Sequence, residues 1–254
     1  MAVYAITFSP TGGTQKAANL FTQAFAEHAA EIDLTNRALN FSGFQFSEKD
    51  VCVIAVPAYS GRVPAPAAER LACMRGNGAR AILMAVYGNR AIDDTLVELE
   101  DLLKAAGFLC VAGISAVAEH SILRQFAAGR PDASDAAQLA SFAQQIRSAL
   151  NNPDFAPCPS LPGNRPYRAV GPRGTKPQAG ATCTHCGTCA RLCPVGAIPV
   201  QHPAQTDAGL CIGCMRCVAV CPEHARSIEA QVLAASLQRL EKACAGRKPN
   251  ELFL

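Results

Sequence analysis

The chain has 254 residues, of which 50% are hydrophobic and 17% are charged, so it is long enough for two domains with buried cores and unlike a disordered chain. A formal net charge of +3 argues against a nucleic-acid-binding protein, which usually carries a strong basic excess. No apolar run reaches the roughly 18 residues of a membrane span, and no basic segment of a secretory signal stands at the amino terminus. We therefore expect a cytoplasmic protein without a transmembrane segment. In a reducing compartment, metal ligation explains some of its 13 cysteines better than disulfides do.

Apolar runs of strand length alternate with helical patterns over the first 150 residues. The second run is the weakest, and the runs that are apolar throughout indicate strands buried on both faces of a parallel sheet. Helical periodicity follows the first run and returns at 93–106 and 133–150. This order predicts a doubly wound α/β domain over residues 1–150. Its five strands are predicted at 3–8, 31–34, 51–56, 81–86 and 109–117.

Residues 151–180 interrupt this alternation with seven prolines and four glycines and are predicted to form a linker, partly stiff and able to pack along a domain. Residues 181–254 form a second predicted domain, which ends with an amphipathic helix at 227–243.

The second domain contains a cysteine motif, C-x2-C-x2-C-x3-C-P, that occurs twice with a shift of 28 residues. In the bacterial two-cluster pattern, three closely spaced cysteines bind one [4Fe–4S] cluster and the fourth binds the other. The first cluster would take Cys183, Cys186, Cys189 and Cys221, and the second would take Cys193, Cys211, Cys214 and Cys217. A zinc ribbon is the alternative, but it needs two ligand pairs separated by a longer spacer.

A loop of small and hydroxyl-bearing residues joins the first predicted strand to a helix. Free amides at a helix amino terminus attract phosphate, and the loop lacks the lysine of a nucleotide-hydrolysing P-loop. An unliganded glycine-rich turn is the alternative interpretation. The predicted phosphate ligands are Ser9, Thr11, Gly12, Gly13 and Thr14.

Two further loops follow the third and fourth predicted strands. In the flavodoxin-like strand order 2-1-3-4-5, the loops after strands one and three meet at the switch point where FMN binds. Tyr59 and Tyr87 are candidates for stacking on the flavin ring, with packing at a strand end as the alternative for either. The loops contain Pro57, Ala58, Tyr59, Ser60 and Gly61, and Tyr87, Gly88, Asn89 and Arg90.

Together these motifs resemble the flavodoxin–ferredoxin fusion family. The resemblance spans nearly the whole chain and rests on SPTGGT at 9–14, PAYSGRVP at 57–64, YGNR at 87–90, AEHSI at 118–122, AAGRPD at 127–132, LPGNRPYR at 161–168 and the two cysteine motifs. It implies an FMN-binding flavodoxin-like domain followed by a small α+β ferredoxin domain with two [4Fe–4S] clusters. It also implies that 57–61 and 88–90 hold the flavin ring.

The expected function is electron transfer between the clusters and FMN, which would link one- and two-electron redox partner proteins that the sequence does not identify. The alternative is an FMN- and iron–sulfur-dependent oxidoreductase that reduces a small organic substrate or quinone, with Arg90 and His120 as possible substrate contacts.

Overall fold

A computed structural model of the chain describes residues 2–157, 159–171 and 176–254, so positions 158 and 172–175 of the predicted linker lie outside the described residues. Its first 150 residues alternate strands with helices, as predicted. The elements at 109–117 and 133–150 have the predicted bounds, and the other observed ends differ from the predicted ones by a few residues. The elements are β1 (Val3–Thr7), α1 (Gly13–Phe25), β2 (Ala30–Asp33), a 3₁₀ helix (Phe41–Gly43), β3 (Val51–Pro57), α2 (Ala65–Ala72), β4 (Arg80–Tyr87), α3 (Thr95–Ala105), β5 (Leu109–Val117) and α4 (Ala133–Leu150).

The elements of the second half are shorter. Among the described residues of that half, only one helix exceeds four residues, and it is shorter at both ends than the helix predicted at 227–243. Within the described ranges, no helix combines the length and the apolar sequence that crossing a lipid bilayer requires. The elements are β6 (Gln178–Ala179), α5 (Thr188–Arg191), α6 (Arg216–Ala219), β7 (Arg226–Ser227), α7 (Ala230–Leu240) and β8 (Glu251–Phe253).

The main sheet has the order β2-β1-β3-β4-β5-β8. Its first five strands are parallel and follow the predicted flavodoxin-like order 2-1-3-4-5. The sixth strand, β8, was not predicted: it pairs antiparallel with β5, with Gly113 opposite Phe253. The last residues of the chain therefore return to the first domain and cover what would otherwise be an open sheet edge.

Helices cover both faces of the sheet because the central strands are apolar on both sides. One core lies beneath α2 and α3 and contains Ile54, Leu71, Leu83 and Leu99. The other lies beneath α1 and α4 and contains Phe21, Val53, Met84 and Leu139, among other residues. These packed layers fix the carboxyl ends of β1, β3 and β4, where the three candidate loops begin.

Residues 161–168 of the predicted linker pack along α3. Asp94 accepts hydrogen bonds from the amide of Asn164 at 2.8 Å and from the amide of Arg168 at 2.7 Å. The guanidinium of Arg165 donates to both carboxylate oxygens of Asp101 at 2.8 and 2.7 Å. This segment, the α3 strap (residues 161–168), is therefore an ordered part of the first domain's surface.

Candidate functional site

The eight motif cysteines surround two cavities. Cys183, Cys186, Cys189 and Cys221 line the first cavity. Cys193, Cys211, Cys214 and Cys217 line the second cavity. Each group takes three cysteines from one motif and the fourth from the other, the exchange that the sequence predicts.

The two motifs have the same backbone conformation. Helices α5 and α6 differ by the 28-residue shift. Three pairs of residues with positive φ obey the same shift: His185 with Gly213, Gly187 with Met215, and Gly196 with His224. Left-handed backbone is unfavourable for residues other than glycine, so its recurrence at His185, Met215 and His224 shows that both loops are held in one specific curl around their cavities.

Amide groups reach the sulfur of the fourth cysteine in each motif. The amide of Ala197 donates to Cys193 Sγ and the amide of Ala225 donates to Cys221 Sγ, both at 3.3 Å. Hydrogen bonds to ligand sulfurs are among the factors that set the potential of an iron–sulfur cluster.

One arginine lines each cavity and has an unused N–H. Arg226 lines the first cavity and Arg216 lines the second. The Nε atom of each is buried without a hydrogen-bond partner among the described residues. A buried donor without an acceptor is costly, and a cluster held by four thiolates would supply negative charge next to both guanidinium groups. The donor sets therefore fit iron–sulfur clusters.

The thiols surround open space instead of converging on one point. Across the described ranges, no three His, Cys, Asp or Glu side chains form a group suited to a single metal ion. Burial raises the pKa of Cys214 to about 12 and that of Cys217 to about 11. Bound metal would replace these thiol protons, since thiolate is the ligating form.

The first loop (residues 9–14) leads directly into α1. Ser9 Oγ accepts a hydrogen bond from the amide of Gln15, in the first turn of the helix, at 2.9 Å. The amides of Thr11, Gly13 and Thr14 have no acceptor among the described residues, and Gly12 has a φ of 90° that favours glycine. Amide donors without an acceptor at the start of a 13-residue helix fit the phosphate of FMN.

The second loop (residues 57–62) is fixed by hydrogen bonds to residues at the start of α3. Arg62 donates to the two carboxylate oxygens of Glu98 at 2.7 and 2.8 Å, and the amide of Asp94 donates to the carbonyl of Gly61 at 3.0 Å. Tyr59 is half-buried on this loop. Its pKa lies well above the usual value because of burial and, secondarily, because of the nearby Cys214.

The third loop (residues 87–90) contacts the C-terminal segment (residues 244–250). The amide nitrogen of Asn89 donates to the carbonyls of Cys244 and Gly246 at 2.6 and 2.7 Å. Tyr87 is 8% exposed, and its hydroxyl donates to the carbonyl of Pro249 at 3.4 Å. Asn89 Oδ1 is buried without a partner among the described residues, which leaves one acceptor for an N–H of a bound ring.

The second cavity lies against the first domain. Arg216 Nη1 donates to the carbonyl of Pro10, in the first loop, at 3.1 Å. Arg70, on α2, donates to the carbonyls of Leu34 and Pro194. Ile212, which lines the second cavity, packs against the core beneath α2 and α3. The structure therefore brings one cysteine group next to the first loop and α2.

Sequence reasoning missed several residues that shape this site. Glu98 and Arg168 support the second loop, since Arg62 Nη1 also donates to the carbonyl of Arg168 at 2.7 Å. Arg216 stands inside the second cysteine motif, where its charge was a visible signal, but its contact with Pro10 spans 206 positions and has no local pattern.

Comparison with known protein families identifies one match. Residues 182–225 match the model of the 4Fe-4S dicluster domain, a range that contains all eight motif cysteines. A search of curated proteins found no match.

Solved structures resemble the first part of the chain. A flavodoxin from Streptococcus pneumoniae TIGR4 is 15% identical and superposes with a TM-score of 0.44, covering 58% of this chain and 99% of its own. Oxidised flavodoxin 1 from Bacillus cereus is 14% identical with a TM-score of 0.43, covering 58% and 98%. Rubredoxin oxygen:oxidoreductase from Desulfovibrio gigas is 16% identical with a TM-score of 0.42, covering 59% and 36%.

The fold of the first domain follows from its own strand order, 2-1-3-4-5, which is that of flavodoxins. The character of the second domain follows from the dicluster match over residues 182–225. The chain therefore combines a flavodoxin-like α/β domain with a 4Fe-4S dicluster domain, and this is the arrangement of a flavodoxin–ferredoxin fusion.

Proposed function

We propose that the chain is an electron-transfer protein that holds two [4Fe–4S] clusters and one FMN and passes low-potential electrons between them. One observation carries the proposal: the second cavity lies against the first loop, with Arg216, which lines that cavity, hydrogen-bonded to Pro10. A cluster in that cavity would be a neighbour of a flavin held by the first and second loops.

Each group supplies a different redox chemistry when bound. Iron–sulfur clusters exchange single electrons at potentials set by hydrogen bonds and solvent exposure, whereas a flavin also carries electron pairs as hydride. A chain that holds both can link a one-electron partner to a two-electron partner.

The two cavities differ in exposure, which gives the proposed path a direction. All four cysteines of the second cavity are buried, whereas Cys186 of the first cavity is exposed and Cys183 and Cys221 are partly exposed. In our proposal, external redox proteins exchange electrons at the first cavity, and the second cavity serves the flavin.

Anaerobic purification followed by analysis of iron, sulfide and flavin tests this function. The proposal expects about eight irons per chain, as two [4Fe–4S] clusters require, and FMN in equal amount to the protein. Cys214→Ser should lower the iron content, whereas Cys73→Ser, at an exposed cysteine outside the motifs, should not. Zinc in place of iron would overturn the cluster part, and a site that stays empty after incubation with FMN would overturn the flavin part.

A further inference from the structure

Arg216 is the one residue of the second cavity whose side chain donates a hydrogen bond to the first loop in the described structure. It stands between the ligand positions Cys214 and Cys217 and lines the second cavity. Its Nη1 donates to the carbonyl of Pro10 at 3.1 Å. Pro10 is buried and lies between Ser9 and Thr11, two of the residues predicted to hold phosphate, so one guanidinium touches both parts of the proposed centre.

The guanidinium of Arg216 also has a donor without an acceptor in the described part of the chain. Arg216 Nε is buried and has no hydrogen-bond partner among the described residues. No carboxylate among them pairs with Arg216. Arg216 as a whole is half-buried, but its buried Nε–H lacks an acceptor within the described ranges. Thiolates that line the same cavity would supply negative charge beside it.

We propose that Arg216 is a positioning residue that joins the second cluster to the flavin site. Its charge and its Nε–H stabilise the more negative, reduced state of the second cluster and so raise that cluster's reduction potential. Its Nη1–H keeps the first loop in the shape that receives the FMN phosphate. This inference rests on the proposed function, because it requires that both groups bind.

Three variants separate the two parts of this role. Arg216→Gln removes the charge and shortens the donor, Arg216→Lys keeps the charge without the planar fork of donors, and Arg239→Gln is the matched control. Arg239 lies exposed on α7 in the same half of the chain, so its substitution makes the same change in charge away from the second cavity.

The experiment uses full-length protein loaded with clusters, with iron and FMN content measured first. Redox titration followed by electron paramagnetic resonance should show that Arg216→Gln shifts one of the two clusters to lower potential. We expect a roughly tenfold change in the ratio of oxidised to reduced cluster, about 59 mV for a one-electron couple. Arg216→Lys should keep the potential close to that of the unmodified protein. Arg239→Gln should shift neither cluster.

Binding of FMN to flavin-free protein, followed by quenching of flavin fluorescence, tests the second part. Arg216→Gln and Arg216→Lys should both weaken binding severalfold, because neither preserves the guanidinium contact with Pro10, and Arg239→Gln should not. The inference is overturned if Arg216→Gln leaves both potentials unchanged or shifts both clusters equally, or if FMN binding is unaffected. If the unmodified protein itself lacks iron or FMN, the proposed function fails, which is a different result.

Discussion

Gly61 lies where the second loop passes the start of α3, and a side chain there would crowd Asp93. A Cβ atom built on Gly61 would lie 2.1 Å from Asp93 Oδ2 and 2.6 Å from Asp93 Cβ, and its φ of 78° disfavours a side chain. Gly61→Ala should therefore distort the second loop, destabilise the first domain and weaken FMN binding. Denaturant unfolding followed by circular dichroism and FMN titration measure the two effects.

Gly129→Ala is the matched control for that substitution. Gly129 has nearly the same φ, 77°, but no atom lies within 4 Å of its built Cβ. Gly129→Ala should lower the free energy of unfolding by about 1–2 kcal/mol, the cost of placing alanine in a left-handed conformation. Gly61→Ala should lower it by about 1–3 kcal/mol more, because its Cβ is also crowded. Equal losses would show that Asp93 moves aside freely.

A buried ion pair joins the loop after β5 to α4. The side chains of Arg130 and Asp135 are 5% and 1% exposed, and Arg130 Nε donates to Asp135 Oδ2 at 2.9 Å. Arg130→Met should destabilise the first domain by about 3–5 kcal/mol, because it removes the buried partner of a buried carboxylate and leaves only the longer contact with the half-exposed Arg247, at 3.3 Å. Arg124→Met, which breaks a pair at a side chain that is 80% exposed, should cost less than about 1 kcal/mol.

The pH dependence of that difference provides a further check. Burial raises the pKa of Asp135, but hydrogen bonds from Arg130, the backbone of Asp132 and Asn250 outweigh it, so the net pKa lies below 3.8. A lowered carboxyl pKa stabilises the fold above 3.8, and this contribution is lost as the pH falls through the folded value. The gap in unfolding free energy between the unmodified chain and Arg130→Met should therefore narrow in acid. A gap that is constant with pH would show that packing, not charge, explains the loss.

The α3 strap depends on one carboxylate, that of Asp94, for three of its hydrogen bonds. Two backbone amides and the side-chain amide of Asn164 donate to Asp94, so Asp94→Ala removes the acceptor of all three donors and leaves the strap held mainly through Asp101. Hydrogen exchange measured by mass spectrometry should show faster exchange over 161–168 and unchanged exchange over α4. Asp154→Ala, at an exposed position, is the control, and equal protection of the strap in both variants would contradict the prediction.

The sequence predicts those helices and strands whose burial requires a periodic apolar pattern. Residues 109–117 and 133–150 are observed as β5 and α4 with the predicted bounds, because an unbroken apolar run and a capped amphipathic helix are local signals. The three-residue β8 has no such signal. It is a strand only because β5 offers a free edge and because Asn250 accepts from the amide of Val117 at 2.8 Å.

At the scale of the whole molecule, the cysteine spacing predicts which thiols share a cavity, because the exchange of the fourth cysteine is a property of the motif. It does not predict which cavity faces the first domain. That arrangement depends on Arg70, Ile212 and Arg216, which lie far apart in sequence from the groups they contact. The side chains of the third loop likewise meet the C-terminal segment, a contact that spans more than 150 positions.

This arrangement predicts that the two cysteine groups have unequal effects on electron transfer. Cys214→Ser should remove the cluster next to Tyr59 and the first loop, so electrons from the remaining cluster should reach the flavin much more slowly. Cys186→Ser should affect the exposed first cavity, so uptake from an external donor should slow while transfer to the flavin from the remaining cluster persists. Loss of the redox centre between donor and flavin lengthens the distance that the electrons must cross, so the rate of flavin reduction should differ clearly between the two variants.

Electron paramagnetic resonance first establishes that each variant keeps one intact cluster. Flash photolysis, with absorbance followed after a reductant is generated by the flash, then separates electron uptake by the clusters from electron transfer to the flavin. Cys73→Ser, which changes an exposed thiol on the first domain, controls for the substitution itself. If the flavin were reduced equally fast in Cys186→Ser and Cys214→Ser, the contact between Arg216 and Pro10 would be a structural junction only. The electrons would then have to reach the flavin from either cavity through solvent or through a second molecule, and their transfer rate would rise with protein concentration.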